Sequence, residues 1–330
     1  MSAADIQSRL PWGEGTTPLM LAPMQGLTNR ALRGLFVEKV RPDVVFTEFV
    51  RIQAGARKLL SAGDRAEVAA RVDGTPLVVQ LIGADAEALV AAADIVQELG
   101  GEHLNINLGC PYGRMTGNSA GGALLRDPVA LAKTLSLLRR HIAVGFSVKV
   151  RSGFDDPGQV LTLLPVFEDC GVDFLIIHPR TVLQKYNGPA DHSITAEAVR
   201  NTRLPVIANG DIFSAADGRR VAGETCAAGL MMGRGAIGDP LLFKRLRGEY
   251  PAVSEPSQRL AELQQYLSDL LPRYQELFCG DRQILCKMKE VLSQVQDPAL
   301  SKPVRGLLRC RSLIRFAELL AELNGCSLRS

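Results

Sequence analysis

The chain has 330 residues, of which 46% are hydrophobic and 22% are charged, and 38 Lys and Arg stand against 35 Asp and Glu. These values exclude a disordered tail protein, a collagen and a disulfide-stapled mini-protein. The seven Cys are scattered without a CxxC pair, and we find neither an apolar run of about 18 residues nor a basic stretch leading into an apolar one at the N-terminus. We therefore expect a reduced, cytoplasmic protein without a membrane span.

Eight short runs of apolar and β-branched residues recur along the chain, and several of the segments between them have helix periodicity. The runs are Leu19–Ala22, Val44–Thr47, Leu77–Leu81, Leu104–Asn107, Phe146–Val150, Phe174–Ile177, Val206–Ala208 and Gly229–Met232. Eight alternations of strand and helix over about 230 residues predict an α/β fold, a (β/α)8 TIM barrel. A doubly wound parallel sheet is the main alternative, and it would need fewer strands.

Three segments between the runs are predicted as helices. Asp127–Arg140 opens with Asp-Pro, which is typical of an N-cap followed by a first-turn proline. Ala84–Leu99 repeats apolar residues at intervals of three and four, and Ser214–Ala222 follows the seventh run.

The pattern changes after the eighth run. Pro251–Pro256 indicates a linker, and three further helices are predicted over Leu260–Leu271, Arg282–Val295 and Val304–Leu323. We therefore expect an N-terminal extension (1–18), a catalytic barrel (19–245) and a small helical domain (256–330). Residues 241–330 hold 14 Lys and Arg against 10 Asp and Glu, whereas residues 1–240 hold 24 against 25. The excess indicates either a solvated helical surface or a module that meets a polyanion.

Polar and Gly-rich residues follow nearly every predicted strand. In a barrel these ends converge on one face, where active sites lie, whereas a sheet would spread them along an edge. This feature favours the barrel. The segments are Pro23-Met24-Gln25, Glu48, Gln80, Asn107-Leu108-Gly109-Cys110, Lys149-Val150-Arg151, His178-Pro179-Arg180, Asn209-Gly210-Asp211 and Gly233-Arg234-Gly235.

The loops after the last two strands suit a phosphate. Glycines in Asn209-Gly210-Asp211 and Gly233-Arg234-Gly235 let backbone N–H groups approach an anion, and Arg234 can add a bidentate contact. Barrels commonly hold phosphate at these two loops. The alternative is that the glycines only make tight turns.

Lys149 and Arg151 are two residues apart in a strand, so both side chains point to the same side. An inward-facing charged pair needs an anionic or electron-rich ligand, such as a flavin ring, or an ion-pair partner such as Glu48. His178 shares the strand-end layer with Lys149 and Gln80, which favours ligand contact. No HExxH motif or His–carboxylate cluster occurs, so we predict no metal site.

Cys110 directly follows the fourth strand, between a small Gly109 and a rigid Pro111. A thiol held at a loop tip on the active face could act as a nucleophile or an acid, although a lone Cys is more often a small core residue. The other six Cys are expected to pack in the interior: Cys170, Cys226, Cys279, Cys286, Cys310 and Cys326.

These motifs together resemble the tRNA-dihydrouridine synthases, flavoenzymes that reduce uridines in the tRNA D-loop. The resemblance extends over about residues 19–240, with the motifs in the family's order, and the helical tail fits as well. The matching pieces are Leu21-Ala22-Pro23-Met24, Thr47-Glu48-Phe49-Val50-Arg51, Val79-Gln80-Leu81, Asn105-Ile106-Asn107-Leu108-Gly109-Cys110-Pro111, Gly121-Gly122-Ala123-Leu124-Leu125, Val148-Lys149-Val150-Arg151, His178-Pro179-Arg180-Thr181, Ala208-Asn209-Gly210-Asp211 and Gly233-Arg234-Gly235.

The resemblance implies a cofactor, a reductant and a role for each matching residue. FMN would contact Pro23, Met24, Gln80, Lys149, His178, Asn209, Asp211, Gly233 and Arg234. Uracil would receive a hydride at C6 and a proton from the Cys110 thiol at C5, with NADPH as the source of electrons. Substrate contacts would come from Asn107, Arg151 and Arg180, and tRNA contacts from Lys287, Arg305, Arg309 and Arg311 in the helical domain. We expect a monomer that binds tRNA.

Some motifs resemble most closely the bacterial C-type branch, whose members modify position 16. Two departures from the family pattern stand out. Pro179 occupies a position where Gly is typical, and Tyr112-Gly113-Arg114 has Gly113 where a Lys commonly stands.

Three other functions remain open from the sequence. One is an FMN barrel dehydrogenase acting on a free pyrimidine, which would not need the basic tail. Another is a tRNA-binding protein without catalysis, against which the intact Cys110 and Lys149 argue. The third is a phosphate-sugar barrel enzyme without a redox cofactor.

Overall fold

The computed structural model describes residues 7–71, 74–111 and 120–323. Within them a parallel barrel closes through eight strands, in the order β1-β2-β4-β5-β6-β7-β8-β9 and back to β1. This confirms the predicted (β/α)8 barrel and excludes the doubly wound sheet. The strands are β1 (Leu19–Leu21), β2 (Val44–Phe46), β3 (Val50–Arg51), β4 (Leu77–Ile82), β5 (His103–Leu108), β6 (Gly145–Gly153), β7 (Phe174–Thr181), β8 (Val206–Asn209) and β9 (Gly229–Met232).

The short strand β3 continues the line of β2 and does not add a ninth strand to the barrel. Both strands pair with β4, β2 through Leu77 and Val78 and β3 through Leu81 and Ile82. Between them, Thr47 donates its N–H to the Val78 carbonyl at 3.0 Å and accepts from the Gln80 N–H at 3.1 Å, and Glu48 and Phe49 follow at the carboxyl end of the barrel.

Alternation along the strands separates two layers of core. Leu19 and Leu21 belong to the cluster that packs under the surrounding helices, whereas Met20 belongs to a separate cluster with Phe174 and Ile176. Because successive side chains point to opposite faces of a strand, this second cluster fills the barrel interior. Trp12 closes it at the amino ends of the strands, with its ring centroid 4.9 Å from that of Phe174.

Helices follow most strands, and four more follow the barrel. They are α1 (Arg30–Val40), α2 (Ala62–Ala69), α3 (Ala86–Glu98), α4 (Pro128–His141), α5 (Gln159–Asp169), α6 (His192–Asn201), α7 (Ala215–Thr225), α8 (Arg234–Gly238), α9 (Leu242–Arg247), α10 (Pro256–Leu277), α11 (Asp281–Leu292), α12 (Ser301–Leu308) and α13 (Leu313–Glu322), with 3-10 turns at Gly121–Arg126 and Pro298–Leu300. In the part of the chain that is described, none of them is long and apolar enough to cross a membrane.

Capping side chains explain where several helices begin. Asp127 accepts from the N–H groups of Val129 and Ala130, with Pro128 at the first helical position, as the Asp-Pro signal predicts. Ser214 and Asp217 form a reciprocal capping box at the start of α7. The predicted helices at both places are confirmed.

The prediction of one continuous helix over Val304–Leu323 is wrong. The chain leaves helix after Leu308, and a second helix begins when the Ser312 side chain accepts from the N–H of Arg315 at 3.2 Å. A cap of this kind satisfies a donor that a continuous helix would have paired internally.

The C-terminal helices share a hydrophobic cluster with the barrel. Phe36 of α1 packs edge-on against Phe243 and Tyr266, with ring centroids 6.1 and 6.2 Å apart. We propose that residues 256–330 are a separate domain, whose described part, 256–323, is helical and is joined to the 19–245 barrel by this cluster and by the segment before α10.

Candidate active site

Two adjoining cavities open at the carboxyl ends of the barrel strands. The larger, of about 220 Å³, is lined by the Cys110 loop, and the smaller, of about 80 Å³, lies against the loops after β8 and β9. The two cavities share a wall and are therefore two parts of one site. The residues common to both are Pro23, Met24, Lys149, His178 and Tyr186.

All the predicted cofactor residues except Gln80 line the smaller cavity, and four of them also line the larger one. Asn209, Asp211, Gly233 and Arg234 line the smaller cavity. Gln80 is fully buried beneath the site. Its position makes it part of the floor.

A ladder of amides forms this floor. Gln80 Nε2 donates to Asn105 Oδ1 at 2.7 Å, and Asn105 Nδ2 donates to Ser147 Oγ at 2.8 Å. Gln80 Oε1 accepts from Asn107 Nδ2 at 2.9 Å. Buried amides satisfied in this way have one fixed orientation, so the floor dictates how the Asn107 side chain is turned.

Asn107 in turn fixes the Cys110 loop. Its Oδ1 accepts from the N–H groups of Gly109 at 3.0 Å and Cys110 at 2.9 Å. The Asn-Leu-Gly-Cys sequence therefore folds into a turn closed by its own first side chain. Cys110 is partly exposed in the larger cavity, so its thiol can meet a ligand there.

Arg151 joins the Cys110 loop to the loop after β7. Its Nε donates to the Gly109 carbonyl at 2.8 Å, and NH1 donates to the carbonyls of Thr181 at 2.9 Å and Lys185 at 2.5 Å. Its guanidinium carbon also lies 5.3 Å from the ring centroid of Tyr186. The residue lines the larger cavity and also holds two loops together, and its substrate contact stays a prediction.

Lys149 reaches both cavities from β6. Its Nζ donates to Asn209 Oδ1 at 2.8 Å, and Asn209 Nδ2 donates to the Met231 carbonyl at 2.8 Å. Burial and, less strongly, the charge of Arg151 lower the pKa of Lys149 to about 7, although the nearby Cys110 opposes the shift. An ammonium in this setting is stabilised by an electron-rich partner in the cavity.

His178 is buried beside several cations. Burial, together with the charges of Lys149 and of nearby arginines, lowers the pKa of His178 well below its usual value, so the ring is neutral. Arg180 NH1 lies 3.1 Å from His178 Nε2. A neutral imidazole can hydrogen-bond a ligand without adding charge to the pocket.

Arg180, predicted to contact substrate, is only 3% exposed and pairs with protein groups. It donates to both carboxylate oxygens of Asp211, at 3.0 and 2.5 Å, and to the Gly188 carbonyl. Burial alone would raise the pKa of Asp211, but hydrogen bonds from Arg180 and the Ala190 N–H lower it. This places Arg180 as a support for Asp211 and His178.

In the loop after β9, one glycine is packed against the backbone and another lies beside the smaller cavity. A Cβ on Gly235 would lie 2.1 Å from the Ile212 carbonyl oxygen, so this glycine is required by backbone packing. A Cβ on Gly233 would lie 3.1 Å from Met24 Sδ, inside the smaller cavity. Arg234 keeps 31% of its side chain exposed while it pairs with Asp211 at 3.2 Å. The packing of Gly235 agrees with the interpretation that a glycine is structurally required here, and the anion site at Gly233 and Arg234 stays a prediction.

Two aromatic residues in the site were not predicted. Tyr186 is 46% exposed, lines both cavities, and lies near the guanidinium groups of Arg151 and Arg234. Phe49 lines the larger cavity. The sequence offered one signal for Tyr186: it is an aromatic residue in the segment that follows the sixth predicted strand, and loops at this face carry barrel active sites.

Some expectations about individual side chains are wrong. Glu48 accepts from the Gly26 N–H at 2.9 Å, and Lys149 pairs with Asn209, so the alternative of a Lys149–Glu48 ion pair is not formed. Of the cysteines expected to pack in the interior, Cys170 and Cys310 are buried, whereas three are exposed: Cys226, Cys279 and Cys286. Cys326 lies outside the described residues.

The three arginines predicted to contact tRNA are exposed but do not share one helix. Arg305 lies in α12, and Arg309 and Arg311 lie in the break before α13. Lys287 of α11 instead reaches the barrel and donates to the Gly26 carbonyl at 2.9 Å. Of the two departures noted in the sequence, Pro179 lies inside β7, which continues to Thr181, and Tyr112-Gly113-Arg114 lies outside the described residues.

A (β/α)8 barrel that gathers a Cys, a Lys and a neutral His around one pocket at the carboxyl ends of its strands has the architecture of a barrel enzyme. Residues 20–308 match the family model for dihydrouridine synthases. The chain belongs to that family, which confirms the resemblance seen in its motifs.

Curated relatives agree with this assignment. The chain is 34% identical over 256 residues to a probable tRNA-dihydrouridine synthase of Rhodobacter capsulatus, covering 74% of this chain and 78% of the relative. It is 33% identical to tRNA-dihydrouridine synthase B of Pseudomonas aeruginosa, covering 80% and 79%, and 32% identical to tRNA-dihydrouridine(16) synthase of Cupriavidus necator, covering 77% and 82%. These values do not separate the branches, so the C-type assignment stays a prediction.

Solved structures confirm the fold alone. Morphinone reductase superposes with a TM-score of 0.53 at 14% identity, over 76% of this chain and 91% of that one. A second morphinone reductase structure, in complex with tetrahydroNAD, gives a TM-score of 0.51 at 12% identity, over 76% and 92%.

Proposed function

We propose that the protein reduces a uridine in the tRNA D-loop to 5,6-dihydrouridine, with FMN as cofactor and NADPH as reductant. The observation that carries the proposal is the placement of Cys110 and Lys149 on the wall of one cavity at the mouth of a barrel whose family is established. Position 16 is the favoured uridine. We further propose a cytoplasmic monomer.

The residues of the smaller cavity, four of which also line the larger one, suit FMN. Lys149 and the neutral His178 suit an electron-rich ring, because one supplies a positive charge and the other a hydrogen bond. Gly233 leaves room beside Met24, and the partly exposed guanidinium of Arg234 can meet a phosphate. Pro23, Asn209 and Asp211 complete the predicted set, with Gln80 supporting it from below.

The larger cavity suits the uracil ring and its protonation. Bound flavin would supply the hydride. Cys110 would hold a proton on its thiol and give it to C5, a step that requires a thiol and not a thiolate. Asn107 keeps the Cys110 loop in place, and Arg151 lies at the cavity wall.

The exposed arginines of the C-terminal helices would bind tRNA. Arg305, Arg309 and Arg311 form an exposed basic surface, and phosphate contacts from such residues do not depend on base identity. A base held in the D-loop would have to leave its stack to reach the bottom of the cavity.

The visible absorbance spectrum of the purified protein, with the cofactor released by heat and identified, tests the cofactor. Flavin bands with released FMN are expected. A colourless protein that takes up no added FMN would favour a phosphate-sugar enzyme or a non-catalytic tRNA-binding protein. A yellow protein that reduces a free pyrimidine and ignores tRNA would favour the dehydrogenase alternative.

A further inference from the structure

The turn between β1 and α1 forms a wall of the active site on one side and meets a C-terminal helix on the other. Pro23, Met24 and Gln25 line the larger cavity. The next residue, Gly26, has a left-handed φ of +83° and lies against α11. The turn is therefore one place where the wall of the pocket touches the C-terminal helices.

Two charged side chains hydrogen-bond the backbone of Gly26, one at its N–H and the other at its carbonyl. Glu48 Oε2 accepts from its N–H at 2.9 Å, and Lys287 Nζ donates to its carbonyl at 2.9 Å. Lys287 also donates to Glu290 at 2.7 Å, and its Nζ lies 6.0 Å from the Phe278 ring centroid. The Lys287 side chain is only 21% exposed.

The conformation of Gly26 favours glycine at the contact with α11. A Cβ on this residue would lie at ordinary contact distance, 3.4 Å from Lys287 Nζ and 3.5 Å from Glu290 Oε2, but the positive φ would strain an L-residue. The turn and the side chains of α11 are therefore neighbours in direct contact at this glycine.

Internal hydrogen bonds transmit the position of Gly26 to the pocket wall. The Met24 N–H donates to Thr28 Oγ1 at 2.8 Å, and the N–H groups of Leu27 and Thr28 donate to the Met24 carbonyl at 3.0 Å each. These bonds join Met24 to the two residues after Gly26, so we expect a shift of Gly26 to displace Met24, which lines both cavities.

We propose that Lys287 and Glu48 are positioning residues that lock the β1–α1 turn as a wall of the cofactor pocket, so that the C-terminal helices retain the cofactor as well as binding RNA. The inference rests on the proposed function, in which this pocket takes FMN. Lys287 then has a role that does not depend on RNA at all.

The test is the rate at which full-length holoprotein releases FMN on dilution, followed by the recovery of flavin fluorescence without RNA. Lys287→Met is expected to release FMN about fivefold faster, as for the loss of one hydrogen bond. Lys302→Met, which removes an equal charge from an exposed site on α12, is the matched control and should match the wild type.

Glu48 provides an independent test from the other side of Gly26. Glu48→Ala should speed FMN release as Lys287→Met does. Glu48→Gln should release FMN at the wild-type rate, because an amide oxygen still accepts from the Gly26 N–H. Thermal unfolding of each variant shows whether it folds, and a flavin absorption band that shifts in Lys287→Met and Glu48→Ala alone would mark a local change in the pocket.

Unchanged FMN release in Lys287→Met, with weaker tRNA binding, would overturn the inference and leave Lys287 as an RNA contact. Equal release from Glu48→Gln and Glu48→Ala would also overturn it. Both results leave the proposed function standing, whereas a wild-type protein that takes up no FMN would remove the proposed function and this inference together.

Discussion

At the scale of single residues, the site depends on groups whose surroundings disfavour the protonated, charged form. Lys149 is the clearest case, because its Nζ meets Asn209 in a cavity wall where burial lowers the lysine pKa to about 7. His178 is kept neutral by burial and by the cations beside it. Such groups are costly in the empty protein and are stabilised by a ligand, which is common at active sites.

This cost predicts how the cofactor-free protein responds to pH. The unfolded chain holds the Lys149 proton up to a pKa near 10.5 and the folded chain only to about 7, so Lys149 makes the free energy of unfolding rise with pH across that window. Lys149→Met should remove this rise. Below pH 7 the substitution should raise the free energy of unfolding by about 1 kcal/mol. This is less than the difference between the two pKa values alone would give, because water in the open cavity screens the charge.

Urea denaturation of the cofactor-free wild type and Lys149→Met at several pH values checks this. Lys133→Met, an exposed lysine of α4, is the control for loss of charge. If the free energy of unfolding changes with pH in the same way for the wild type and Lys149→Met, folding does not lower the pKa of Lys149.

At the scale of elements, the catalytic loops are held by side chains from neighbouring strands. Asn107 closes the Cys110 turn, and Arg151 ties that turn to the loop after β7 through three backbone carbonyls. A loop fixed by its neighbours can place a thiol more precisely than one that is free at its tip.

Arg151→Met should therefore loosen two loops at once. It leaves the carbonyls of Gly109, Thr181 and Lys185 without this donor, and we expect a loss of roughly 2–4 kcal/mol in the free energy of unfolding. Hydrogen exchange should accelerate at residues 183–187. If exchange there stays at the wild-type rate, Arg151 does not hold this loop.

The elements also show what the sequence could predict. All eight barrel strands were recognisable, because each buried run of apolar residues is followed by polar residues at the active face. The break in the last predicted helix was not, since one Ser312 side chain decides it. Likewise the partners of Arg180 and Lys287 are 31 and 261 residues away in sequence, so the fold alone reveals them.

At the scale of the whole molecule, the chain divides its charge between two surfaces. The catalytic face is built from paired or buried charges, whereas Arg305, Arg309 and Arg311 are exposed on the C-terminal helices. A surface of this kind binds a polyanion through counterion release, which makes affinity fall steeply with salt.

Replacing Arg305, Arg309 and Arg311 together by Gln should weaken tRNA binding and lower the slope of log affinity against log salt by about one for each phosphate that is no longer neutralised. Filter binding over a salt series measures both. The matched control replaces the exposed Arg57, Lys58 and Arg65 of the barrel by Gln. An equal change in slope for both triple variants would show that the C-terminal surface has no special role.

The proposed activity of the whole molecule is the formation of dihydrouridine in tRNA, with Cys110 as the proton donor. It is measured as the dihydrouridine content of unmodified tRNA after incubation with NADPH and either the wild-type protein or Cys110→Ala, both purified with their flavin. We predict product with the wild type and at least a hundredfold slower formation with the variant, in keeping with the loss of a general acid. Equal product from both proteins, or none from a flavin-loaded wild type, would contradict this assignment.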